Sequence, residues 1–350
     1  MNAIFTTPPR LFDVTALFPQ LAPLARTATR LHPRPGSPTV HDSSVGGPLL
    51  WPADEPWPHC VEPHDTEAAD EMHSPDEIRI LRRIHAAAAE RRLRDPQAPA
   101  ITPEEREIEQ RLREGHPWFD GPIPMIPVAQ LYARDVPLPA RPPGADLLQV
   151  LWCPCDHEEF AHPRTALFWR SSASVTDVLE APPEPPVIQF DWYLPEPCLL
   201  APEQITEYPS PLELSKELQQ QLGDVNLWET AGFAWDSTGA LDPQEFYFRN
   251  LCHAPGWKTG GWTRWGLTDP MPRPCPECGT ETTPLLTIAS LEWNSGSKSW
   301  MPDEERTNPT PLLLGTPPSN FTLLDIAGAY SLQLHVCPAS PEHPHIELVQ

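Results

Sequence analysis

Proline limits this chain's folding choices more than any other residue: it fills 50 of 350 positions, well above the usual share of about 5%. Each proline fixes φ and removes a backbone donor, which rules out long uninterrupted helices and disfavours proline in central strands. Short strands joined by rigid, extended connections are the architecture that remains. The 13 tryptophans argue against disorder, because indole rings in that number need a packed interior. At 350 residues the chain suits one large domain or two modules around a shared core.

Charge narrows the partners. With 48 acidic and 24 basic residues the formal net charge is −24, which repels phosphate backbones and anionic lipid. Nucleic acid and membrane surfaces are therefore excluded as expected partners. A basic protein or cationic peptide would be attracted, and the alternative reading of the charge is solubility alone. No apolar run approaches the ~18 residues of a membrane span. The first 24 residues carry Arg10 and are broken by Pro8, Pro9, Pro19 and Pro23, so they lack the apolar core of a signal peptide. The expected location is the cytoplasm, where the 8 cysteines stay reduced and clustered ones read as metal ligands.

Comparing the chain with itself uncovers three blocks that recur in one order. Val45-Gly-Gly-Pro-Leu-Leu-Trp-Pro, leading to Cys60, is answered by Thr259-Gly-Gly-Trp-Thr-Arg-Trp, leading to Cys275. Ile126-Pro-Val-Ala-Gln-Leu-Tyr is answered by Pro284-Leu-Leu-Thr-Ile-Ala-Ser. Leu147-Leu-Gln-Val-Leu-Trp-Cys153-Pro is answered by Ser331-Leu-Gln-Leu-His-Val-Cys337-Pro. The predicted fold is thus α+β and β-rich: two tandem copies of a strand-rich module around a shared core. Residues 1–158 form the first module, 159–250 a proline-rich connection and 251–350 the second module. The Gly-Gly pairs lack the Lys-Ser/Thr of phosphate loops and read as tight turns.

The first module also carries an insertion over about residues 65–116. Ser74-Pro-Asp-Glu77 and Thr102-Pro-Glu-Glu105 are N-caps with proline at the first helical position and a capping-box glutamate. They predict a helical hairpin over about Pro75–Arg94 and Pro103–Arg113. Apolar stripes are expected at Ile80, Ile84 and Ala88 and at Ile108 and Leu112, packed on each other or on the body, with a partner-binding arm as the alternative. Leu17, Leu21 and Leu24 predict an opening helix within Asp13–Thr29, and 211–222 reads as a short helix.

Cys275-Pro-Glu-Cys278-Gly279 is the strongest local signal. Two thiolates separated by two residues reach one tetrahedral zinc, and the glycine permits a turn whose N–H groups face sulfur. The repeat points to Cys337 as the distant partner, with His343 or His345 close behind, and the set taken forward is Cys275, Cys278, Cys337 and His343. A redox pair would open a helix in a βαβ unit, which Pro274 and Pro276 do not supply; unliganded cysteines are the plainest alternative. The first module offers His59, Cys60, Cys153, Cys155 and His157, from which Cys60, Cys153, Cys155 and His157 form a second, weaker set, decayed or occupied. Cys198 and Cys252 have no counterpart and read as buried small apolar residues. No nucleophile with its base and no His-Glu-x-x-His is present. Asp156-His157-Glu158-Glu159 imitates an acid–base cluster but reads as solvated loop, so no catalytic residue is assigned.

Gly46-Gly47 with its Trp-Pro neighbours, Lys258-Thr-Gly-Gly-Trp262, Cys275-Pro-Glu-Cys278-Gly, Pro284-Leu-Leu-Thr-Ile and Leu332-Gln-Leu-His-Val-Cys337-Pro resemble the bacterial YwqG-like proteins, a family of unknown function. That family is distantly like the eukaryotic programmed cell death protein 2 group, which are dedicated chaperones of a ribosomal protein. The resemblance covers both modules and leaves out 65–116 and much of 160–250. It implies a duplicated β-rich protein that binds a protein or peptide, chaperone-like or immunity-like, with structural zinc. The competing class is a zinc-dependent enzyme.

Overall fold

The computed structural model describes residues 5–64, 72–157, 162–233, 242–309 and 319–350. Residues 65–71 of the expected insertion, and Glu158 and Glu159, lie outside them. The strands in chain order are β1 (Arg26–Arg30), β2 (Arg34–Pro35), β3 (Ser44–Val45), β4 (His59–Cys60), β5 (Ile123–Pro124), β6 (Ile126–Tyr132) and β7 (Leu147–Asp156). There follow β8 (Pro163–Arg170), β9 (Cys198–Leu199), β10 (Glu203–Glu207), β11 (Lys258–Gly260), β12 (Thr283–Ala289), β13 (Ser331–Val336) and β14 (Ile346–Val349). One sheet has the order β2-β9-β3-β6-β7-β8 and the other β10-β1-β11-β12-β13-β14, with β4 and β5 as a separate pair. Their pairings are antiparallel, and with the helices below they make the chain α+β.

Buried side chains of both sheets form one core: Val45, Val128, Val150 and Trp152 from the first meet Leu286, Ile288, Leu332 and Leu334 from the second. Strands covered this way read as near-continuous apolar runs, which is why β7 and β13 are buried along nearly their whole length. The sheets do not divide the chain at residues 158 and 251. β1 and β10 belong to the second sheet, while β8 and β9 complete the first.

The chain crosses between the sheets at residues 31–33, and a buried ion cluster fastens the crossing. Arg30, His32 and Arg34 share a face at alternate positions. Glu292 Oε2 lies 2.6 Å from Arg34 Nη1, and Glu292 Oε1 bonds His32 Nδ1 and lies 3.7 Å from Arg30 Nη2. Arg34 Nε also donates to Glu305 at 3.0 Å, and the Glu203 carboxylate lies 3.3 Å from His32 Nε2.

The helices follow their caps. α1 is Val14–Leu17, α2 Pro75–Arg94 and α3 Pro103–Leu112, the last two each opened by a complete capping box. α2 buries Ile78, Arg82, Ile84 and Ala88, and Ile80 is only half-buried. The buried face is rotated from the expected stripe because the Arg82 guanidinium donates to the carbonyls of Asp191 and Leu194 at 2.8 and 2.7 Å. α3 buries no residue and is joined to α2 through His85–Glu109 and Arg91–Glu105 contacts. The expected opening helix is short: α1 stops before Phe18, a 3₁₀ turn spans Pro19–Leu24 and β1 begins at Arg26. Pro19 and Pro23 break the α ladder, and Thr27 and Thr29 suit a strand.

Candidate metal centres

The Cys275–Thr280 turn is closed by its own backbone. The Cys275 N–H donates to the Thr280 carbonyl and the Gly279 N–H to the Cys275 carbonyl, both at 2.8 Å. Gly279 sits at φ +72°, a left-handed conformation that costs glycine little. This turn brings Cys278 back beside Cys275. Cys337 arrives one residue past β13, and His343 follows in the loop before β14. The ligand atoms of Cys275, Cys278, Cys337 and His343 all lie within 4.8 Å of one another. His343 Nδ1 is 3.4 Å from Cys275 Sγ, and Cys278 Sγ is 3.5 Å from Cys337 Sγ. His345, the other histidine considered, turns instead to Thr165 Oγ1 at 2.7 Å and Glu347.

Cys275 and Cys337 are buried and Cys278 is exposed. The Thr280 hydroxyl and N–H, followed by Cys337, hold the Cys278 thiol down at about 6, so this sulfur is ready as a thiolate ligand.

A second set of donors lies in the first sheet's half. Cys60 ends β4, His64 follows in the next loop, Cys153 lies within β7 and His157 just after it; their ligand atoms are also within 4.8 Å of one another. His64 Nε2 is 3.1 Å from Cys153 Sγ, and Cys60 Sγ is 3.8 Å from His157 Nε2. The sequence reading placed Cys155 in this set, and the structure places His64 there. β7 loses its register with β8 between Trp152 and Asp156; Cys155 stays beside Cys153 in the apolar cluster that also holds Cys60, but it is not one of the four donors that converge. His59 is also outside, with Nδ1 bonded to the Trp57 carbonyl at 2.8 Å. The missed ligand had a signal: His64 follows Cys60 by four residues, as Cys278 follows Cys275 by three.

The surroundings of this set fit a metal. His157 turns Nε2 toward the thiols, while its buried Nδ1 has no hydrogen-bond partner and lies 3.9 Å from Glu62 Oε2. Metal-ligating histidines commonly direct the distal ring nitrogen at such a carboxylate. The thiol pair is polarised. Cys60 is drawn down by its bond to Cys153 and then by His157 and His64, while Cys155 and Cys60 push Cys153 up.

Three thiolates with one imidazole, and two thiolates with two, are donor sets of structural zinc. Each offers four protein donors, the number that completes a tetrahedron around one ion. A metal held there would tie a loop to the end of a central strand. Asp156 accepts the Tyr193 hydroxyl at 2.6 Å and lies outside both sets.

The fold and sites together define a class: an α+β protein with mostly antiparallel sheets and two Cys/His clusters that can each hold a metal ion. Among the described residues no helix is long and apolar enough to cross a membrane. No protein-family model matches the chain, and no curated protein matches it.

Proposed function

We propose that the chain is a zinc-stapled protein-binding protein, chaperone-like or immunity-like, made of two copies of one module and acting on a basic partner in the cytoplasm. The observation that carries the zinc assignment is the correspondence of the two ligand sets. Each takes a cysteine and a second donor from the chain before the central hairpin, then a cysteine at the end of the hairpin's second strand and a histidine after it.

Duplication is supported by register. β3-β6-β7-β8 and β11-β12-β13-β14 run in the same order. Both central pairs slip by one residue at the same place, after Pro127 in β6 and after Pro284 in β12. Glutamine side chains clamp the equivalent backbone position in each, one in the second sheet and two in the first. Gln333 accepts the Arg264 N–H and donates to the Arg264 carbonyl; Gln149 donates to the Leu50 carbonyl while Gln130 accepts the Leu50 N–H. Leu50 and Arg264 both lie three residues past the Gly-Gly pair. The α2–α3 hairpin is then an insertion in the first copy. The YwqG-like relationship rests on the sequence blocks themselves, and the binding role follows from that resemblance.

A binding role also agrees with two closed four-ligand sets and a net charge of −24, which favours cationic surfaces. The test is capture of partners from the native host by the tagged chain at low and high salt, read by mass spectrometry. A stoichiometric basic protein released by salt is expected. A partner-free chain under all conditions, or turnover of a substrate by the purified zinc-loaded protein, would overturn the binding role.

A further inference from the structure

We infer that a cavity at the edge of the second sheet, built around Arg264, binds a small carboxylate with a flat apolar body. The cavity has a volume of about 180 Å³, and no Asp or Glu side chain lines it. In a chain carrying 48 acidic residues, a cavity whose one charged side chain is a cation favours anions.

Arg264 is held there by its backbone and left without a side-chain partner. Gln333 clamps its N–H and carbonyl at 3.1 and 2.8 Å. Its guanidinium makes no ion pair or hydrogen bond with a described residue and lies 5.8 Å from the centre of the Phe248 ring. The buried Glu207 carboxylate, whose charge reaches Arg264, is already taken by Lys258 Nζ and by the N–H groups of Ala254 and Trp262. Burial holds the guanidinium below its ordinary pKa, opposed by Cys252 and Glu207. An anion bound at the fork would relieve that desolvation and supply the planar, bidentate partner for which arginine is suited.

The matching place in the first sheet shows that the fold does not require this cavity. There Leu50, Tyr132 and Leu147 fill the space as a sealed apolar cluster. The register puts Arg264, Ala289 and Ser331 at the same three positions: Tyr132 faces Leu147 across β6 and β7, as Ala289 faces Ser331 across β12 and β13. Two large side chains are small here and the third is a cation, so the same frame opens into a hollow. This comparison uses only sheet positions and holds whether or not the two modules share descent or bind zinc.

The walls set the rest of the ligand's chemistry. Phe248, Leu291 and Trp293 offer apolar and aromatic faces, and Thr287 and Tyr330 offer hydroxyls. Phe248 begins a π-helical turn, Phe248–Cys252, a costly irregularity that often accompanies ligand sites. One charged end and a flat body therefore fit the fork and the rings together.

Calorimetric titration of the zinc-loaded full chain with benzoate tests this, with benzamide as the uncharged isostere. Benzoate should bind at one site and benzamide at least about tenfold more weakly, because only the charged group satisfies the guanidinium. Arg264→Gln should lower benzoate affinity by about tenfold or more. Ser331→Leu, which places the first sheet's residue there and removes the Ser331 Oγ bond to the Gln350 carbonyl, should abolish binding while a cooperative thermal unfolding transition persists, which separates a blocked cavity from a failure to fold. Absence of benzoate binding, equal binding of benzamide, or undiminished binding by a folded Ser331→Leu protein would overturn the proposal.

Discussion

Glu292→Gln removes the charge at the centre of the crossing between the sheets. Burial alone would push this carboxyl up, but the charges of His32 and Arg34, then the His32 hydrogen bond and Arg30, hold it at about 2 against an ordinary 4.5. A displacement of that size corresponds to about 3 kcal/mol. The geometry gives a similar figure: Glu292 is 3% exposed and touches two buried guanidinium groups. Removing one partner of a buried ion cluster costs about 3–5 kcal/mol, because the charges left behind stay desolvated. The folded pKa is depressed, so this stability is fully present above the unfolded value of 4.5 and disappears as pH falls through about 2. Urea unfolding of wild-type and variant at pH 7 should therefore differ by about 3 kcal/mol or more, and the difference should shrink between pH 4.5 and 2. Loss of metal from protonated thiols affects both proteins alike, so the comparison at each pH isolates Glu292. A variant within about 0.5 kcal/mol of wild-type at pH 7, or a gap that acid leaves unchanged, would refute the reasoning.

Two further substitutions probe the frame. Gln333→Leu strips the part-buried Arg264 N–H and carbonyl of their partner and should cost about 1 kcal/mol or more; a melting temperature unchanged from wild-type would contradict the clamp. Ser74→Ala removes the cap of α2, where Ser74 Oγ accepts the Glu77 N–H. It should lower stability by about 1 kcal/mol, read by chemical unfolding, with Ser74→Thr close to wild-type.

Local signals carried well from sequence to structure, and long-range ones only in part. The capping boxes at Ser74 and Thr102 fix where α2 and α3 begin, because a cap is satisfied by residues three positions away. The strands β6, β7, β12 and β13 lie where the repeated blocks put them, since buried strands read as apolar runs. The burial of Arg82 on α2 could not be read from periodicity: its partners, the carbonyls of Asp191 and Leu194, lie over a hundred residues away. Assignment of β1 to the second sheet is likewise invisible locally, since it depends on pairing with β10 and β11. At the sites, Cys275-x-x-Cys278 announced itself through spacing, and the repeat supplied Cys337. His64 was not singled out because Cys60-x-x-x-His64 is not a Cys-x-x-Cys knuckle, while Cys153-Pro-Cys155 reads as a ligand pair although only Cys153 belongs to the four-donor cluster.

Metal content decides the matter most directly. Inductively coupled plasma mass spectrometry on the full chain, purified without chelator, should find two zinc ions per chain, one for each cluster. His64→Ala and Cys337→Ser should each remove one, and Cys155→Ser should remove none. Metal-free protein with unchanged stability after added zinc, or zinc lost on Cys155→Ser but kept on His64→Ala, would show that the ligand sets are wrong.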